Sequence, residues 1–301
     1  MDSITSILAG TMRLTGPLAF SASGEYVAER GGTLNISLEG MMLSGAFFGI
    51  WASDIFNSSV AGLIGGMLAG LVVAIIHANM SHRLQANTFV VGLTLNILAL
   101  GLTSYLLRVI EPRGVQADNI DIPLLHQIPL IGESLFSNRW PIYLLLIVAP
   151  LSWYMVNRTR WGLELRACGE DPGAADVTGI DVNKRRRQGL YWAGITTGLG
   201  GAYLSVAEVG LFNQNMTAGR GFLVNAAVIF GGWRLVPIIA GCFLFGGADA
   251  LRLQLPALGY DIQPQLLIVA PFLLAILAMC FFAKRNVQPA GLAKPFERGV
   301  A

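Results

Sequence analysis

Apolar segments close to the length that crosses a lipid bilayer follow one another along this sequence. The clearest are residues 60–76 and 88–107, and a spanning helix needs about 20 predominantly apolar residues. Charged residues make up only 13% of the chain, about half of the roughly 25% that is usual in soluble domains. So few charges cannot cover the surface of a soluble fold, which excludes a disordered chain, a nucleic-acid-binding protein and most soluble enzymes. The sequence therefore predicts an integral membrane protein embedded in lipid.

The predicted fold class is all-α: a polytopic transmembrane helical bundle with about eight to ten membrane segments, the number that 301 residues can hold. Two segments, residues 36–51 and 222–233, are short for a full crossing. Half-length segments bounded by glycines are typical of re-entrant or broken helices, so residues 222–247 are expected to dip into the membrane and return. We expect a transmembrane domain over residues 1–285, containing a cytoplasmic loop at 157–188, and a cytoplasmic tail at 286–301.

Small residues recur at four-residue spacing in several of the apolar segments. Four residues is slightly more than one helical turn, so each set lies on one helix face and lets a neighbouring backbone approach closely. This pattern predicts a compact bundle and carries no information about a ligand. The sets are Gly62, Gly66 and Gly70; Gly45 and Gly49; and Gly194 and Gly198.

Basic residues predict which side of the membrane each connection occupies. By the positive-inside rule, the loop after residue 156 and the C-terminal tail should be cytoplasmic, and the more acidic connection at 108–140 should lie outside. The side of the N-terminus is left open, because it lies inside only if residues 36–51 are re-entrant. The basic residues are Arg158, Arg160, Arg166, Lys184, Arg185, Arg186 and Arg187 in the loop and Lys284, Arg285, Lys294 and Arg298 in the tail.

Motifs for metal binding or catalysis are missing from the sequence. Its three cysteines form no C-x-x-C pair, and its three histidines have no metal-ligand spacing. Binding ATP through a phosphate-cradling loop requires G-x-x-x-x-G-K-[ST], whereas none of the three lysines follows a glycine. We therefore expect no cofactor in this chain and no enzymatic activity of its own.

The polar stretch at residues 160–187 carries the signals of a short surface helix. Asp171 can cap the helix, Pro172 suits its first position, and Gly179 can end it. Two interpretations stay open from residue types alone: an ordinary amphipathic loop, or a docking helix for a cytoplasmic partner.

Polar residues near the start of the segment at 36–51 also have two interpretations. Asn35, Ser37 and Glu39 could line a gate at a helix break, because ionisable groups inside membrane segments usually face the bundle interior or a water-filled path. Alternatively, Asn35 caps the helix and Glu39 pairs with Arg30 or Arg13 at the membrane interface.

Two asparagines lie in later membrane segments, Asn96 near the middle of residues 88–107 and Asn225 in the half-length segment. Each needs a hydrogen-bond partner, which can be either a neighbouring helix or a solute. The six tryptophans lie mostly at segment ends, which favours an interfacial aromatic belt over stacking with a nucleoside.

The order of Glu170, Ala174, Ala175, Gly179 and Ile180 resembles the coupling loop of ATP-binding-cassette (ABC) importer permeases, which inserts into the ATPase. Three further stretches resemble the same group, and together they look like the branched-chain amino acid, simple sugar and nucleoside permease family. The likeness runs in order from about residue 16 to about residue 285 and looks closest to the nucleoside or simple-sugar branch, and to the shorter permease of a pair. The three stretches are residues 29–47, 89–106 and 217–233.

This resemblance implies a multi-pass permease of the bacterial inner (plasma) membrane that moves a small polar solute. It implies three protein partners: a separate ABC ATPase subunit with two ATPase modules, a second homologous permease subunit, and an extracytoplasmic solute-binding protein. The ATPase subunit would hold ATP and Mg²⁺. Membrane lipid is a further partner, and no nucleic acid is expected. A stand-alone secondary transporter or channel is the alternative, although it would need a coupling-ion site for which Glu39 alone is thin support.

The resemblance also implies roles for particular residues. It leaves the solute open among a nucleoside, a ribose-like sugar and a branched-chain amino acid. Arg220 lies on the presumed outer side, where it would contact the binding protein or anchor to lipid headgroups. The implied ATPase-coupling residues are Glu170, Asp171, Ala174, Ala175, Gly179 and Ile180. The candidate residues of the translocation path or gate follow instead from their polar side chains in membrane segments, and they are Asn35, Glu39, Asn96 and Asn225.

Overall fold

The computed structural model describes residues 3–121, 137–257, 269–270, 272–277, 280 and 288–297, and most of these residues are helical. The all-α prediction is confirmed. One short antiparallel hairpin, β1 (Asn119–Asp121) with β2 (Ser137–Arg139), interrupts the helices, and it places Ile120 opposite Asn138. The α-helices are α1 (Ser3–Arg30), α2 (Leu38–Phe56), α3 (Ser59–His82), α4 (Thr88–Ile110), α5 (Leu145–Arg158), α6 (Arg160–Glu170), α7 (Pro172–Val177), α8 (Val182–Ala202), α9 (Arg220–Phe230) and α10 (Leu235–Ala257). A 3₁₀ turn, Trp140–Leu144, leads into α5, and a π-helical stretch, Tyr203–Val209, extends α8.

Four helical segments within the described residues are long and apolar enough to cross a membrane. They are Ser59–His82, Thr88–Ile110, Trp140–Arg158 and Leu235–Leu255, so both of the clearest predicted segments, residues 60–76 and 88–107, lie in helices of sufficient length. Lys284, Arg285 and Arg298 of the predicted tail lie outside the described residues.

Residues 222–247 start and end at the same end of the bundle, because Arg220 at the start of α9 pairs with Asp249 near the end of α10. That this segment dips into the membrane and returns stays a prediction. The half-helix α9 ends beside α1, where the indole of Trp233 donates to Glu29, and α10 then runs for 23 residues. The sequence suggested a helix that ends near residue 247, because the charged Asp249 and Arg252 follow the apolar run at 235–247. These two side chains pair with each other at 2.8 Å, and both lie within α10.

The centre of the bundle is the junction of α2, α3 and α8, where glycines face glycines. A side chain at Gly198 would overlap the backbone of Gly66 and Gly70, and one at Gly45 would overlap Gly198. Gly194 meets Gly70 and Ala74 in the same way. The prediction that the small-residue stripes pack helices together is therefore confirmed, and the close approach strengthens van der Waals contact where lipid supplies no hydrophobic driving force.

Two ends of the bundle are distinguished by their contacts. At one end the buried Arg186 donates to the carbonyl oxygens of Gly31 and Lys294, which joins the basic loop to the C-terminal tail. At the other end the outer connection packs on the end of α8, with the amide of Ala117 donating to Val206. Arg13 lies near this second end because it pairs with Glu208, with 3.7 Å between nitrogen and oxygen.

These contacts place the start of α1 at the end of the bundle opposite Arg186. The positive-inside rule predicts that the Arg186 end is cytoplasmic, and α1 then enters the membrane from outside. The segment at 31–56 is then a broken crossing and not a re-entrant loop that returns to the side from which it came.

We expect cysteine labelling from outside to report this arrangement. In a background without the native cysteines, Ser6→Cys and Asp118→Cys should react with a membrane-impermeant maleimide on intact cells, and Lys184→Cys should react only after permeabilisation. Lys184 is an exposed residue at the start of α8, so its lack of reaction would reflect the membrane and not burial. Labelling of residue 184 but not residue 118 from outside would reverse the topology.

Candidate functional site at two helix breaks

Irregular backbone precedes α2 at residues 31–37 and precedes α9 at residues 210–219, and the two stretches are called breaks below. Irregular backbone at membrane depth is tolerated only where protein or a water-filled cavity satisfies its polar groups. Gly32 and Gly219 take φ values of +87° and +84°, a left-handed conformation that favours glycine. Each break therefore sets the start of a helix inside the protein.

Glu39 joins the two breaks. It lies in the first turn of α2 and is 8% exposed, and its carboxylate accepts from the Thr217 hydroxyl at 2.5 Å. The backbone amides of Gly219 and Gly221, at the start of α9, donate to the same carboxylate at 2.8 and 2.7 Å. Helix N-termini carry partial positive charge and unpaired amides, so one carboxylate stabilises the start of both half-helices.

The alternative in which Glu39 pairs with Arg13 or Arg30 is wrong. Arg13 pairs with Glu208, and Arg30 lies 3.9 Å from a carboxylate oxygen of Glu170 at the cytoplasmic end. Backbone amides and a hydroxyl take the place of an arginine, because the two breaks bring unpaired donors to the carboxylate.

Asn35 organises the backbone that leads into α2. Its Oδ1 accepts from the amide and hydroxyl of Ser37, at 3.1 and 2.8 Å. Ser37 is the N-cap residue of α2, so the prediction that Asn35 caps this helix is wrong, and Asn35 instead holds the capping residue. Its Nδ2 donates to Glu25 at 2.9 Å. The Ser37 hydroxyl also lies 2.7 Å from Nδ1 of His77, so α1, α2 and α3 meet in one buried polar cluster.

The two predicted asparagines reach the same break. Asn96 accepts from the amide of Gly40 and donates to the carbonyl of Ile36, both at 2.8 Å, so its interhelical role is confirmed. Asn225 donates to the carbonyl of Asn35 at 3.3 Å, and within the described chain its buried Oδ1 has no donor. All four predicted path residues therefore lie around the start of α2, whereas their part in translocation stays a prediction.

Sequence reasoning missed two acidic residues of this cluster. Glu25 and Glu29 are fully buried on α1, and Trp233 donates its indole N–H to Glu29. Their four-residue spacing within an apolar stretch was the available signal, because it puts both carboxyl groups on one helix face. Trp233 is 4% exposed, so for this residue the interfacial-belt interpretation is wrong.

The helix signals at residues 171–179 are confirmed. Oδ1 of Asp171 accepts from the amide of Ala174 at 2.9 Å, Pro172 occupies the first turn of α7, and Gly179 follows the helix with φ of +89°. A separate helix, α6, precedes it and ends at Glu170. An extended Asp171 separates the two helices and turns the chain.

Two faces of α7 differ in burial. Ala175 is 4% exposed and packs with Cys168 and Val182, whereas Ala174 is exposed and Val177 is 90% exposed. An apolar side chain so fully exposed on a six-residue helix is available to another protein. The half-buried Ile180 packs beside the inner face.

Arg220, at the start of α9, has an internal partner. Its guanidinium lies 2.7 Å from Asp249 on α10 and also donates to the carbonyl of Met216. Its side chain is only 14% exposed, so contact between Arg220 and a solute-binding protein stays a prediction.

Broken helices that meet in the interior of a helical bundle are common in membrane transporters. Residues 7–283 match the family described as the permease component of the branched-chain amino acid transport system, and the chain belongs to this family. It is a multi-pass plasma-membrane protein and a permease component of an ABC transporter. Membership implies an ATPase and a solute-binding protein as partners.

Three relatives are similar over most of their length. The chain is 34% identical to the nucleoside ABC transporter permease protein NupC of Lactococcus lactis, with 96% of each chain covered. It is 32% identical to the guanosine ABC transporter permease protein NupQ of Bacillus subtilis, with 98% of each covered. It is 33% identical to the putative glucose ABC transporter permease protein TsgC13 of Haloferax volcanii, covering 88% of this chain and 82% of the relative.

Replacing Glu39 by Gln should destabilise the junction of the two half-helices. A glutamine has one acceptor oxygen, so one of the two glycine amides would face an N–H₂ group, and a buried unpaired donor costs about 1–3 kcal/mol. Unfolding measured in detergent should show this loss, and uptake in cells should fall. The control is Glu164→Gln, which removes a partly exposed ion pair with Arg185 worth less than about 1 kcal/mol. Equal stability of the two variants would contradict the role given to Glu39.

Proposed function

We propose that this chain moves a neutral polar solute of the nucleoside class through the membrane. The observation that carries this proposal is the place of Glu39. Half-helix N-termini in transporters commonly bind the anionic group of a substrate, such as the carboxylate of an amino acid. Here the protein's own carboxylate occupies the start of α9.

A branched-chain amino acid is therefore a poor fit to this site. Its carboxylate would meet the carboxylate of Glu39 at the start of α9, and like charges placed together in a low-dielectric interior repel strongly. Arg220 is the basic side chain at the start of α9, and Asp249 already neutralises it. A nucleoside or sugar instead presents neutral donors and acceptors, which amides such as Asn225 can bind.

The relatives favour a nucleoside over a sugar. Two of the three are nucleoside or guanosine permeases that align over nearly the full length, and the putative glucose permease aligns over less. A simple sugar is the second candidate, since it offers the same hydroxyl chemistry without a base. Membership in a family of ABC permeases favours the importer over a stand-alone transporter or channel.

Competition for uptake tests the solute class. In cells that express the chain with its partner subunits and lack other nucleoside importers, labelled guanosine should enter, and excess unlabelled nucleoside should abolish the signal. Excess glucose or leucine should leave uptake unchanged, because neither presents the same set of neutral groups. Equal competition by leucine would contradict the argument from Glu39, and competition by glucose alone would favour the sugar candidate.

We also propose that α7 is the helix that docks on a separate ATPase subunit. ATP and Mg²⁺ belong to that subunit, and we propose that it carries two ATPase modules. The exposed face of α7, formed by Ala174, Val177 and Gly179, is the docking face, whereas Ala175 holds the helix to its own chain. We further propose that a second homologous permease completes the pathway and that a binding protein delivers the solute from outside.

Val177→Asp should weaken docking of the ATPase. An apolar anchor at the centre of an interface contributes about 2 kcal/mol or more, so affinity for the ATPase should fall more than about tenfold. The measurement is co-purification of the ATPase with the permease, alongside uptake. Val115→Asp is the matched control, because Val115 is an exposed valine of the outer connection, on the opposite side of the membrane. Normal co-purification of Val177→Asp would contradict docking through α7.

A further inference from the structure

We infer that Arg186 is a positioning residue that couples the ATPase-docking segment to the helix break before α2. The inference rests on the proposed docking of α7. Arg186 lies in the first turns of α8 and is 1% exposed, although arginine is rarely so buried without an acidic partner. Among the described residues, four backbone carbonyls accept hydrogen bonds from its guanidinium, and no carboxylate does.

The four carbonyls belong to three segments of different function. Nε donates to Gly31, the first residue of the break, at 3.2 Å. Nη2 donates to Cys168 at 3.2 Å, near the end of α6 and three residues before the cap of α7. The C-terminal tail supplies Gly291 at 3.0 Å and Lys294 at 2.7 Å. One guanidinium therefore fixes the break, the docking segment and the tail to the start of α8.

The tail makes a second connection between the same segments. The amide of Gly291 donates to the carbonyl of Gly169 at 2.8 Å, and the amide of Ala293 donates to Gly32 at 3.1 Å. The amide of Ala290 lies 3.5 Å from the carboxylate of Glu170. The tail therefore bridges the end of α6 and the break, so the two segments are linked through backbone as well as through Arg186.

The joined segments should move as one body. Separating them would leave a buried guanidinium without acceptors, which is strongly unfavourable. The break in turn continues into Asn35 and Ser37, which are fully buried and hydrogen-bonded. A displacement of α7 by the ATPase is thereby transmitted through Gly31 to the start of α2, where Glu39 and Asn35 lie.

The amount of solute moved per ATP hydrolysed distinguishes a coupling role of Arg186 from a purely structural role. We expect Arg186→Lys, which keeps the charge but loses the planar fork that reaches several carbonyls at once, to assemble with the ATPase and hydrolyse ATP. Solute moved per ATP should fall about tenfold or more, within the range of measured coupling effects. Uptake that is unchanged, or that falls only in proportion to assembly or hydrolysis, would overturn the inference. Loss of assembly in Val177→Asp instead reports on the proposed docking, so the two failures are distinguishable.

A second variant displaces the tail from its contacts with Gly169 and Arg186 without changing Arg186 itself. A side chain at Gly291 would lie 2.9 Å from the carbonyl oxygen of Gly169 and 3.3 Å from Nη2 of Arg186, so Gly291→Val should displace the tail. We expect the same loss of solute moved per ATP. Gly101→Val is the matched control, because a Cβ there meets no atom within 4 Å. Equal transport by both valine variants would overturn the inference, even if Arg186→Lys fails to fold.

Cross-linking tests the single-body motion directly. Ala167→Cys on α6 with Phe296→Cys in the tail, two residues that pack on the same cluster, can be joined by a short bismaleimide. Transport should be the same before and after cross-linking, because the two segments do not separate. Cys242 and Cys280 would be replaced, whereas Cys168 is buried and burial raises the pKa of its thiol to about 11, which keeps it unreactive. Inhibition that depends on the cross-link would show that the tail leaves the docking segment during transport.

Discussion

The carboxylate of Glu39 and its three donors are the interaction on which the interior of this permease depends. The hydroxyl of Thr217 and the amides of Gly219 and Gly221 come from one break, and the carboxylate comes from the other. A break inside a membrane protein exposes backbone groups that lipid cannot satisfy. This one carboxylate lies at the start of α2 and accepts hydrogen bonds from donors at the start of α9. The position of each helix start therefore depends on the other.

The surrounding bundle gives this junction its rigidity. Glycines at the contacts of α2, α3 and α8 bring these backbones together, so α2 is fixed along its length by packing and at its start by polar bonds from Asn35 and Asn96. Close-packed interiors transmit displacement because they deform little. The breaks have no helical hydrogen-bond ladder of their own, which makes them the segments where a change of backbone conformation costs least.

Periodicity and composition were enough to predict the helices, the small-residue contacts and the limits of α7. The four path residues were found because a polar side chain in an apolar run is conspicuous, and the structure places all four at one break. Contacts between distant segments could not be predicted, because nothing in the sequence pairs Glu39 with Gly221, or Trp233 with Glu29. The length of α10 was also missed, because the ion pairs of Asp249 neutralise charges that looked like a helix end.

Arg186 and Glu39 illustrate opposite ways of holding irregular backbone. At the cytoplasmic end a buried cation gathers carbonyl oxygens, and at the inner junction a buried anion gathers amide and hydroxyl hydrogens. The residues between Gly31 and Glu39 run from one centre to the other, so both ends of this short segment are fixed by a charge. If the docking segment moves Gly31, the guanidinium of Arg186 moves with it, because its acceptors belong to the same body. The backbone of residues 32–38 must then change its conformation. This change alters the position of Asn35 relative to Asn225, where we propose that a solute contacts the protein.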